Sequence, residues 1–363
     1  TDTIKYTKYT RRPVGIDVKK YDALVVGAGT AGCIAAKTGA KAGLEVCLID
    51  RKGRNEIGNK VCGDAIGKHH FDNLGLPYPT GEELERDISG VKIYSPDLKS
   101  VFRLVGEGLT GFMVNRYLFG QRLLKNAIDA GATLLDSTHV LEPIIEDGFV
   151  GGIFAEDLET GSKTELRGGV TIDASGFSAV IRRKLSTEIG FDQVIGKEDQ
   201  VICYREIREL RDEMEEPDFI EMYLDLDVAP GGYCWIFPER GKKVNVGLGV
   251  AAVGNFPSPK DQLYKYVLSR PLFAKSTTIH GGGGYDPTRR PLDSFVGNGI
   301  VVIGDAACQV NPIDGGGMGP SMMGGKISGE VISEALENGK ADRESLWPIN
   351  VRYMRTYGFR HAG

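Results

Sequence analysis

The stretch YDALVVGAGTAGCIAAKTGAKAGLEVCLIDR, residues 21–51, contains the pattern that decides the fold. Its apolar run at 23–26 predicts a buried parallel strand, because strands covered on both faces are continuously apolar. A helix is predicted over about 31–42, where Gly43 ends it. A second strand over 45–49 ends in Asp50, about 20 residues beyond the glycines. Together these elements predict a βαβ unit.

Three glycines in this unit have the spacing G-x-G-x-x-G. Gly27 permits a tight turn, Gly29 lets the backbone approach a pyrophosphate, and Gly32 lets helix and strand pack closely. The pyrophosphate is expected at the helix N-terminus, where unpaired N–H groups and the dipole favour negative charge. Asp50 is expected to accept hydrogen bonds from ribose hydroxyls. The pattern predicts a Rossmann-like dinucleotide site, with FAD and NAD still undistinguished.

A second glycine-rich motif, GIVVIGDAACQVNPIDGGGMGPSMMGGK, occupies residues 299–326. A buried strand over 300–303 precedes Asp305, and the glycines of 315–319 lead into a helix. The motif resembles the G-D-A-A…P…G-x-G element of flavoproteins with the p-hydroxybenzoate hydroxylase fold. The resemblance implies that Asp305 binds the ribityl chain of FAD and that the helix N-terminus stabilises the reduced flavin. A NAD dehydrogenase has no use for this element, so FAD is the predicted cofactor.

The middle of the chain resembles the same flavoproteins, with departures. VTIDASGFSAVIRR, residues 170–183, follows the pattern D-A-D-G-x-x-S-x-x-R, but Ser175 replaces the second acid and Ser178 falls one place early. This motif helps to hold NADPH in monooxygenases, so direct NADPH binding is in doubt. Arg116, at the start of a helix predicted over 117–130, matches an arginine that contacts FAD. A solvated charge at the helix start is the alternative interpretation of Arg116.

Residues 185–290 change character and predict a second domain. Apolar and polar residues alternate over 220–226 and 244–250, on either side of a predicted strand at 233–237. The alternation is typical of half-buried antiparallel strands joined by turns. With 91–103, these strands predict a sheet that lies over the face of the flavin.

The stretch PGGYCWIFP, residues 230–238, adds a more specific resemblance. Pro230, Tyr233, Trp235 and Phe237 match the motif P-x-x-Y-x-W-x-F-P of the geranylgeranyl reductase family. The motif implies an aromatic wall against which the substrate binds. On composition alone, an edge strand packed with aromatic residues is the alternative.

Two further segments support this resemblance, which runs from about residue 21 to 347 and is strongest to archaeal lipid-forming members. KVCGD, residues 60–64, matches the pattern K-x-C-G-D beside the flavin, and PTRRP, residues 287–291, precedes the last flavin strand. Cys308 is a departure, since many proteins of the wider fold have histidine after G-D-A-A. The chain also stops at Gly363, where archaeal relatives continue into a helical segment, which predicts a truncated chain or a more open pocket.

The family resemblance implies a flavin-dependent reductase. It would saturate isolated double bonds of geranylgeranyl chains, in archaeal ether phospholipids or geranylgeranyl diphosphate, by hydride from reduced FAD in a dry cleft. Cys62 and Tyr233 are the candidate proton donors, and simple packing roles are their alternatives. His69 and His70 are interpreted as surface helix residues, and His280 as a loop residue. The rival functions are a flavin monooxygenase or halogenase of the same fold and a non-catalytic prenyl-lipid carrier.

The predicted sites and domains follow from these segments. The residues expected to bind the cofactor are Gly27, Gly29, Ala31, Gly32, Asp50, Cys62, Gly63, Ala65, Arg116, Val140, Asp305, Gly317 and Met318. Pro230, Tyr233, Trp235 and Phe237 are expected to bind the substrate. The predicted fold is mixed α/β, with an N-terminal arm (1–20), a discontinuous FAD-binding domain (21–90, 110–184 and 291–340), a substrate-binding domain on an antiparallel sheet (91–109 and 185–290) and a C-terminal segment (341–363).

Composition limits the partners and the location. A net charge of −5 over 363 residues gives no polyanion-binding surface, so nucleic acid is not an expected partner. Six scattered cysteines without C-x-x-C predict neither a metal site nor a disulfide framework, and suit a reducing cytoplasm. No apolar run reaches the roughly 20 residues that span a bilayer. We therefore expect a peripheral protein on the inner face of the cell membrane, with a prenyl lipid as substrate and ferredoxin or NAD(P)H as electron donor.

Overall fold

The computed structural model describes residues 18–185, 189, 191 and 195–359. The predicted arm therefore lies outside the described residues, except for its last three positions, which begin the first strand. The helices are α1 (Thr30–Lys41), α2 (Lys68–Leu74), α3 (Arg116–Asp129), α4 (Pro259–Gln262), α5 (Met318–Glu337), α6 (Arg343–Leu346) and α7 (Pro348–Tyr353). The strands are β1 (Val18–Val26), β2 (Val46–Ile49), β3 (Ala65–Gly67), β4 (Leu84–Ile88), β5 (Gly90–Tyr94), β6 (Val101–Val105), β7 (Gly111–Val114), β8 (Thr133–Leu135), β9 (Thr138–Glu146), β10 (Phe149–Asp157), β11 (Lys163–Asp173), β12 (Gln200–Glu209), β13 (Phe219–Tyr223), β14 (Cys234–Pro238), β15 (Lys243–Ala251), β16 (Thr277–Pro287), β17 (Val296–Gly297) and β18 (Ile300–Val302).

The first sheet has the order β17-β18-β11-β1-β2-β8, and β10 and β9 extend it beyond β11. Strands β18, β11, β1, β2 and β8 run parallel to one another, as the apolar runs of the βαβ unit predict. Strands β17 and β10 pair antiparallel with β18 and β11. Helix α1 packs so closely on α5 that a side chain at Gly325 would collide with the Ala31 carbonyl. The Rossmann-like half of the predicted fold is confirmed.

The second sheet has the order β16-β12-β15-β14-β13-β5-β6. Its strands are antiparallel except at β13 and β5, which run in parallel. The alternation at 220–226 predicted a longer strand than forms: β13 ends at Tyr223, and Leu224 and Leu226 are exposed. Glu221 and Tyr223 are both buried, and the Tyr223 hydroxyl donates to the Glu221 carboxylate at 2.6 Å. The boundaries of the two predicted domains remain a prediction.

A small third sheet, in the order β3-β7-β4, lies against the second. Ile88 and Met113 of this sheet share a buried apolar cluster with Trp235 and Phe237 of β14. The cluster anchors the aromatic motif to the third sheet. None of the helices in the described ranges combines the length and apolar character that crossing a bilayer requires.

The glycine run at 281–284 lies within strand β16. A side chain at Gly282 would press on Val61, 2.7 Å away, and one at Gly283 on the carbonyl of Cys203, 3.0 Å away. The glycines therefore let β16 pack closely on the loop before β3 and on β12. His280 is likewise in this strand, and the interpretation as a loop histidine is wrong.

Candidate functional site

A cavity of about 520 Å³ lies between the second sheet and the glycine-rich loop before α5. Residues 62–67 form one wall, β13 and β14 form another, and residues 312–319 form the third. The predicted residues that line this cavity are Cys62, Gly63, Ala65, Tyr233, Trp235, Phe237, Gly317 and Met318. The sequence thus predicted a set that the fold brings together from three distant segments.

The aromatic wall is formed by Tyr233, Trp235 and Phe237. Their alternate positions place the side chains on one side of the strand, with ring centroids 5.9 Å and 6.2 Å apart along the series. The Trp235 indole N–H donates to Asn245 Oδ1 at 3.0 Å, so its only polar group is satisfied. Pro230 does not line the cavity. It lies in the turn before β14, where its carbonyl accepts a hydrogen bond from the backbone N–H of Ala251. The wall is therefore a rigid apolar surface.

Tyr233 differs from the other two rings because its hydroxyl is engaged. It donates to the backbone carbonyl of Asp314 at 2.5 Å. Burial, followed by the charge of Asp314, raises the pKa of Tyr233. Tyr233 thus joins the second sheet to the loop before α5 and keeps its proton at neutral pH.

The Cys62 thiol is half-buried and lines the same cavity. The backbone carbonyl of Cys62 accepts hydrogen bonds from Arg205 Nε at 3.1 Å and from Asn245 Nδ2 at 2.9 Å. These bonds hold the loop before β3 in place. Burial and the nearby charge of Asp64 raise the pKa of the thiol. Cys62 is therefore a protonated thiol that lines the cavity.

Asp64 is a functional candidate that the sequence indicated only as part of a motif. It is 4% exposed and lines the cavity, and its backbone is left-handed with φ 62°. Asn245 Nδ2 donates to Oδ2 at 2.9 Å, whereas Oδ1 has no hydrogen-bond partner. Burial raises the pKa of Asp64 from 3.8 to about 7, against the charges of Arg205 and Arg116. A buried acid in a strained backbone conformation is a mark of a functional site.

Stability is expected to depend on pH through Asp64. The unfolded chain releases this proton near pH 4 and the folded chain near pH 7, so the folded state binds more protons between these values. The free energy of unfolding should therefore fall as pH rises through this window, by about 4 kcal/mol from Asp64, since each unit of pKa shift corresponds to about 1.4 kcal/mol. Asp64→Asn should flatten the profile in urea unfolding measured from pH 4 to 8.

The control is Asp212→Asn, whose carboxylate is largely exposed. It should leave the pH profile unchanged. Glu239, whose pKa burial raises to about 8, contributes a slope of the same sign, so some dependence will persist in Asp64→Asn. An unaltered slope in Asp64→Asn would contradict the assignment.

The N-terminus of α1 has the geometry of an anion site. Gly29 caps the helix without any side-chain hydrogen bond, and a Cβ placed on it would meet no atom within 4 Å. In contrast, a Cβ on Gly27 or Gly32 would collide with backbone carbonyls. Asp50 accepts from the amides of Ala28 and Lys52 at 2.8 Å and 2.9 Å, so it also fixes this loop. Of these three glycines, Gly29 alone leaves open space, and it is the glycine expected to face the pyrophosphate.

Arg116 provides a second observation that points to an anion. It is 8% exposed, and its Nε and Nη1 atoms have no hydrogen-bond partner. The interpretation as a solvated helix-start charge is therefore wrong. Leaving a buried cation unpaired costs several kcal/mol, which a bound diphosphate would offset.

The distal motif lies at the N-terminus of α5. Gly317 caps this helix without a side-chain hydrogen bond and, like Met318, borders the cavity. Asp305 is buried and accepts from Lys60 Nζ at 2.8 Å. Ala31 and Val140 are buried away from the cavity, in α1 and β9. The open space at Gly29, the unpartnered Arg116 and the uncapped α5 together fit FAD.

His69 and His70 are not surface residues. Both are half-buried on α2 and line the cavity, and His70 Nδ1 lies 2.8 Å from the Tyr357 hydroxyl. A side chain at Gly319 would collide with the His70 ring, so this glycine lets α2 approach α5. Sequence missed this placement because α2 is too short to show which of its faces is buried.

Comparison with known proteins identifies related chains. Residues 199–285 match the family model of the geranylgeranyl reductase catalytic domain, and residues 22–75 match that of glucose inhibited division protein A. A digeranylgeranylglycerophospholipid reductase of Sulfolobus acidocaldarius is 40% identical over 94% of this chain and 75% of its own length.

Two solved structures have folds similar to that of this chain. A geranylgeranyl bacteriochlorophyll reductase-like protein of Thermoplasma acidophilum has a TM-score of 0.86 at 25% identity, over 95% of this chain and 86% of that one. A myxobacterial chondrochloren halogenase has a TM-score of 0.76 at 18% identity, over 94% and 81% of the two chains. The halogenase shares the fold alone.

Proposed function

This chain belongs to the geranylgeranyl reductase family, and from that premise we propose that it is an FAD-dependent reductase of prenyl lipids. Its substrate is a glycerophospholipid with geranylgeranyl chains, whose isolated double bonds it saturates. The observation that carries this proposal is the cavity between the aromatic wall and the uncapped N-terminus of α5. It offers an apolar slot beside the place where reduced flavin is expected.

The wall suits the chemistry of an isolated alkene. Such a bond has no carbonyl to polarise it, so a hydride and a proton must both be delivered to it directly. Reduced FAD, held at Gly29, Arg116 and the N-terminus of α5, would supply the hydride. Positive character builds on the more substituted carbon, and the faces of Trp235 and Phe237 stabilise it. The same apolar surface excludes the water that would otherwise trap it.

The proton comes from Cys62, which lines the same cavity as the aromatic rings. Cys62 keeps its proton because burial raises its pKa, and we assign its Sγ–H as the donor to the carbon that does not receive hydride. Asp64 then returns a proton to the thiolate that remains, since its pKa near 7 lets it carry a proton at neutral pH. One hydride and one proton together saturate one double bond.

The partners follow from the substrate. A prenyl lipid resides in a membrane, so we place the protein peripherally on the inner face of the cell membrane. Ferredoxin or NAD(P)H is the electron donor. The NADPH-linked acid of related monooxygenases is replaced by Ser175, whose hydroxyl donates to Asp173 Oδ1 at 2.5 Å, and this favours a donor that needs no nucleotide site.

The proposal is tested with anaerobic protein reduced by dithionite and incubated with geranylgeranyl lipids. Each reduced bond should add two hydrogens to the product mass, and the flavin should reoxidise as product forms. Substrate-dependent oxygen uptake without mass gain would favour the monooxygenase and halogenase alternative. Colourless protein that binds prenyl lipid but not FAD would favour the carrier.

A further inference from the structure

Strand β6 has an apolar surface that the described part of the chain leaves exposed. Its four apolar residues are Val101, Phe102, Leu104 and Val105, and their exposures are 48%, 62%, 39% and 61%. We name these four residues the apolar edge, because β6 is the outermost strand of the second sheet. Sheet edges in water usually have charges, prolines or bulges that prevent association. The one charged residue here, Arg103, is paired with Glu216.

The inner face of the second sheet connects the apolar edge to the cavity. Residues paired across neighbouring strands point to the same face. Pairing places two rows of apolar side chains there, Leu104–Val91–Ile220 and Phe102–Ile93–Met222–Trp235. Val91, Ile220, Met222 and Trp235 line the cavity. The rows therefore run from the aromatic wall to the outside without a polar interruption.

The chain itself also leads from the edge to the cavity rim. Gly108, Leu109 and Thr110, which follow β6, line the cavity. Exposure rises along the longer row, from 7% at Trp235 to 62% at Phe102. Four adjacent strands span about 14 Å. An apolar surface thus extends from the buried site to solvent over this distance.

We infer that the apolar edge is the part of the protein that docks on a lipid bilayer, and that the two rows admit a hydrocarbon chain from the bilayer to the cavity. The inference rests on the proposed function, since a membrane lipid must leave the bilayer to reach the cavity. Shallow insertion at the interface covers both faces of β6, while its backbone groups keep access to water.

A second copy of the chain is a poorer occupant of this edge. Pairing with another strand satisfies the backbone groups in the plane of the sheet. It does not cover Phe102 and Val105, which point to opposite faces because successive side chains alternate. A bilayer surface covers both.

The test compares the variant Val101→Ser/Val105→Ser with the wild-type protein in cosedimentation with phosphatidylcholine vesicles. Both substitutions lie on the face away from the rows, so the path to the cavity is unchanged. Vesicle binding should weaken by about tenfold or more, since two exposed valines lose their apolar burial. Wild-type binding should persist at high salt, because apolar insertion is not screened.

The matched control is Ile145→Ser/Leu158→Ser, which removes two apolar residues of 40% and 55% exposure from the first sheet and its hairpin. It should bind vesicles like the wild type. Reduction of geranylgeranyl diphosphate in solution should be unchanged in the edge variant, whereas reduction of prenyl lipid in vesicles should fall with binding.

Three outcomes overturn the inference: unchanged vesicle binding by the edge variant, equal loss in the control, or a wild-type dimer that the edge variant dissociates without any effect on vesicles. Failure of the proposed function has a different signature. The wild-type protein would then bind vesicles through the edge yet reduce neither the soluble nor the vesicle substrate.

Discussion

Gly29→Ala is expected to weaken FAD binding strongly while leaving the apoprotein folded. Gly29 has φ −76° and ψ −171°, which alanine adopts without strain, and its Cβ would project into open space. Stability should therefore change by no more than about 1 kcal/mol. The new methyl group occupies the space expected for the pyrophosphate, so FAD affinity should fall by roughly 100-fold. Flavin content after purification and FAD titration of the apoprotein measure this.

Gly32→Ala is the matched control, because its Cβ would collide with the carbonyl of Gly27. Backbone cannot yield as a side-chain tip can, so the apoprotein itself should lose roughly 3 kcal/mol of stability. Thermal unfolding without flavin separates the two variants. If Gly29→Ala retained FAD at wild-type affinity, the pyrophosphate would not lie at the N-terminus of α1.

The sequence predicted the parallel half of the fold because local signals and tertiary packing agree there. The apolar run at 23–26 and the glycine spacing both require a strand, a tight turn and a closely packed helix. Strand β1 nevertheless begins five residues before that run, at Val18. Its polar start pairs with β11, and pairing with a distant strand leaves no trace in local composition.

The second sheet was less predictable. Alternation identified β13 and β15, but the end of β13 depends on its pairing with β5, which is more than a hundred residues away in sequence. The parallel contact between these strands also decides which face of β13 meets the cavity. Ile220 and Met222 line the cavity because of that contact, and alternation alone does not choose between the two faces.

In the candidate site, too, local motifs predicted some residues, and tertiary contacts determined the others. Motifs predicted Cys62 and the aromatic wall, because each has an unusual local pattern. His69, His70 and Asp64 gained their place from tertiary contacts: α2 meets α5 at Gly319, and Asn245 reaches across from β15 to Asp64. Buried polar groups held by partners from other elements are visible only in three dimensions.

Cys62→Ala is expected to lower the rate of prenyl reduction by about 100-fold to 10,000-fold, the range for loss of a general acid. The substitution removes the thiol proton without adding bulk, so FAD binding and flavin reduction by dithionite should stay near wild-type values. Single-turnover reoxidation of the reduced flavin by prenyl lipid isolates the affected step. Cys203→Ala is the matched control, since it removes another half-buried thiol from the cavity lining and should retain activity.

Tyr233→Phe distinguishes the second candidate donor from the first. The Tyr233 proton is engaged with the Asp314 carbonyl at 2.5 Å, so its loss should loosen the loop before α5 and not remove the acid. We expect at most about a tenfold decrease, consistent with one neutral hydrogen bond. A large loss in Tyr233→Phe together with an active Cys62→Ala would transfer the role of proton donor to Tyr233. Equal large losses in Cys62→Ala and Cys203→Ala would instead indicate that the cavity requires filled volume, and the thiol proton would have no special part in the reaction.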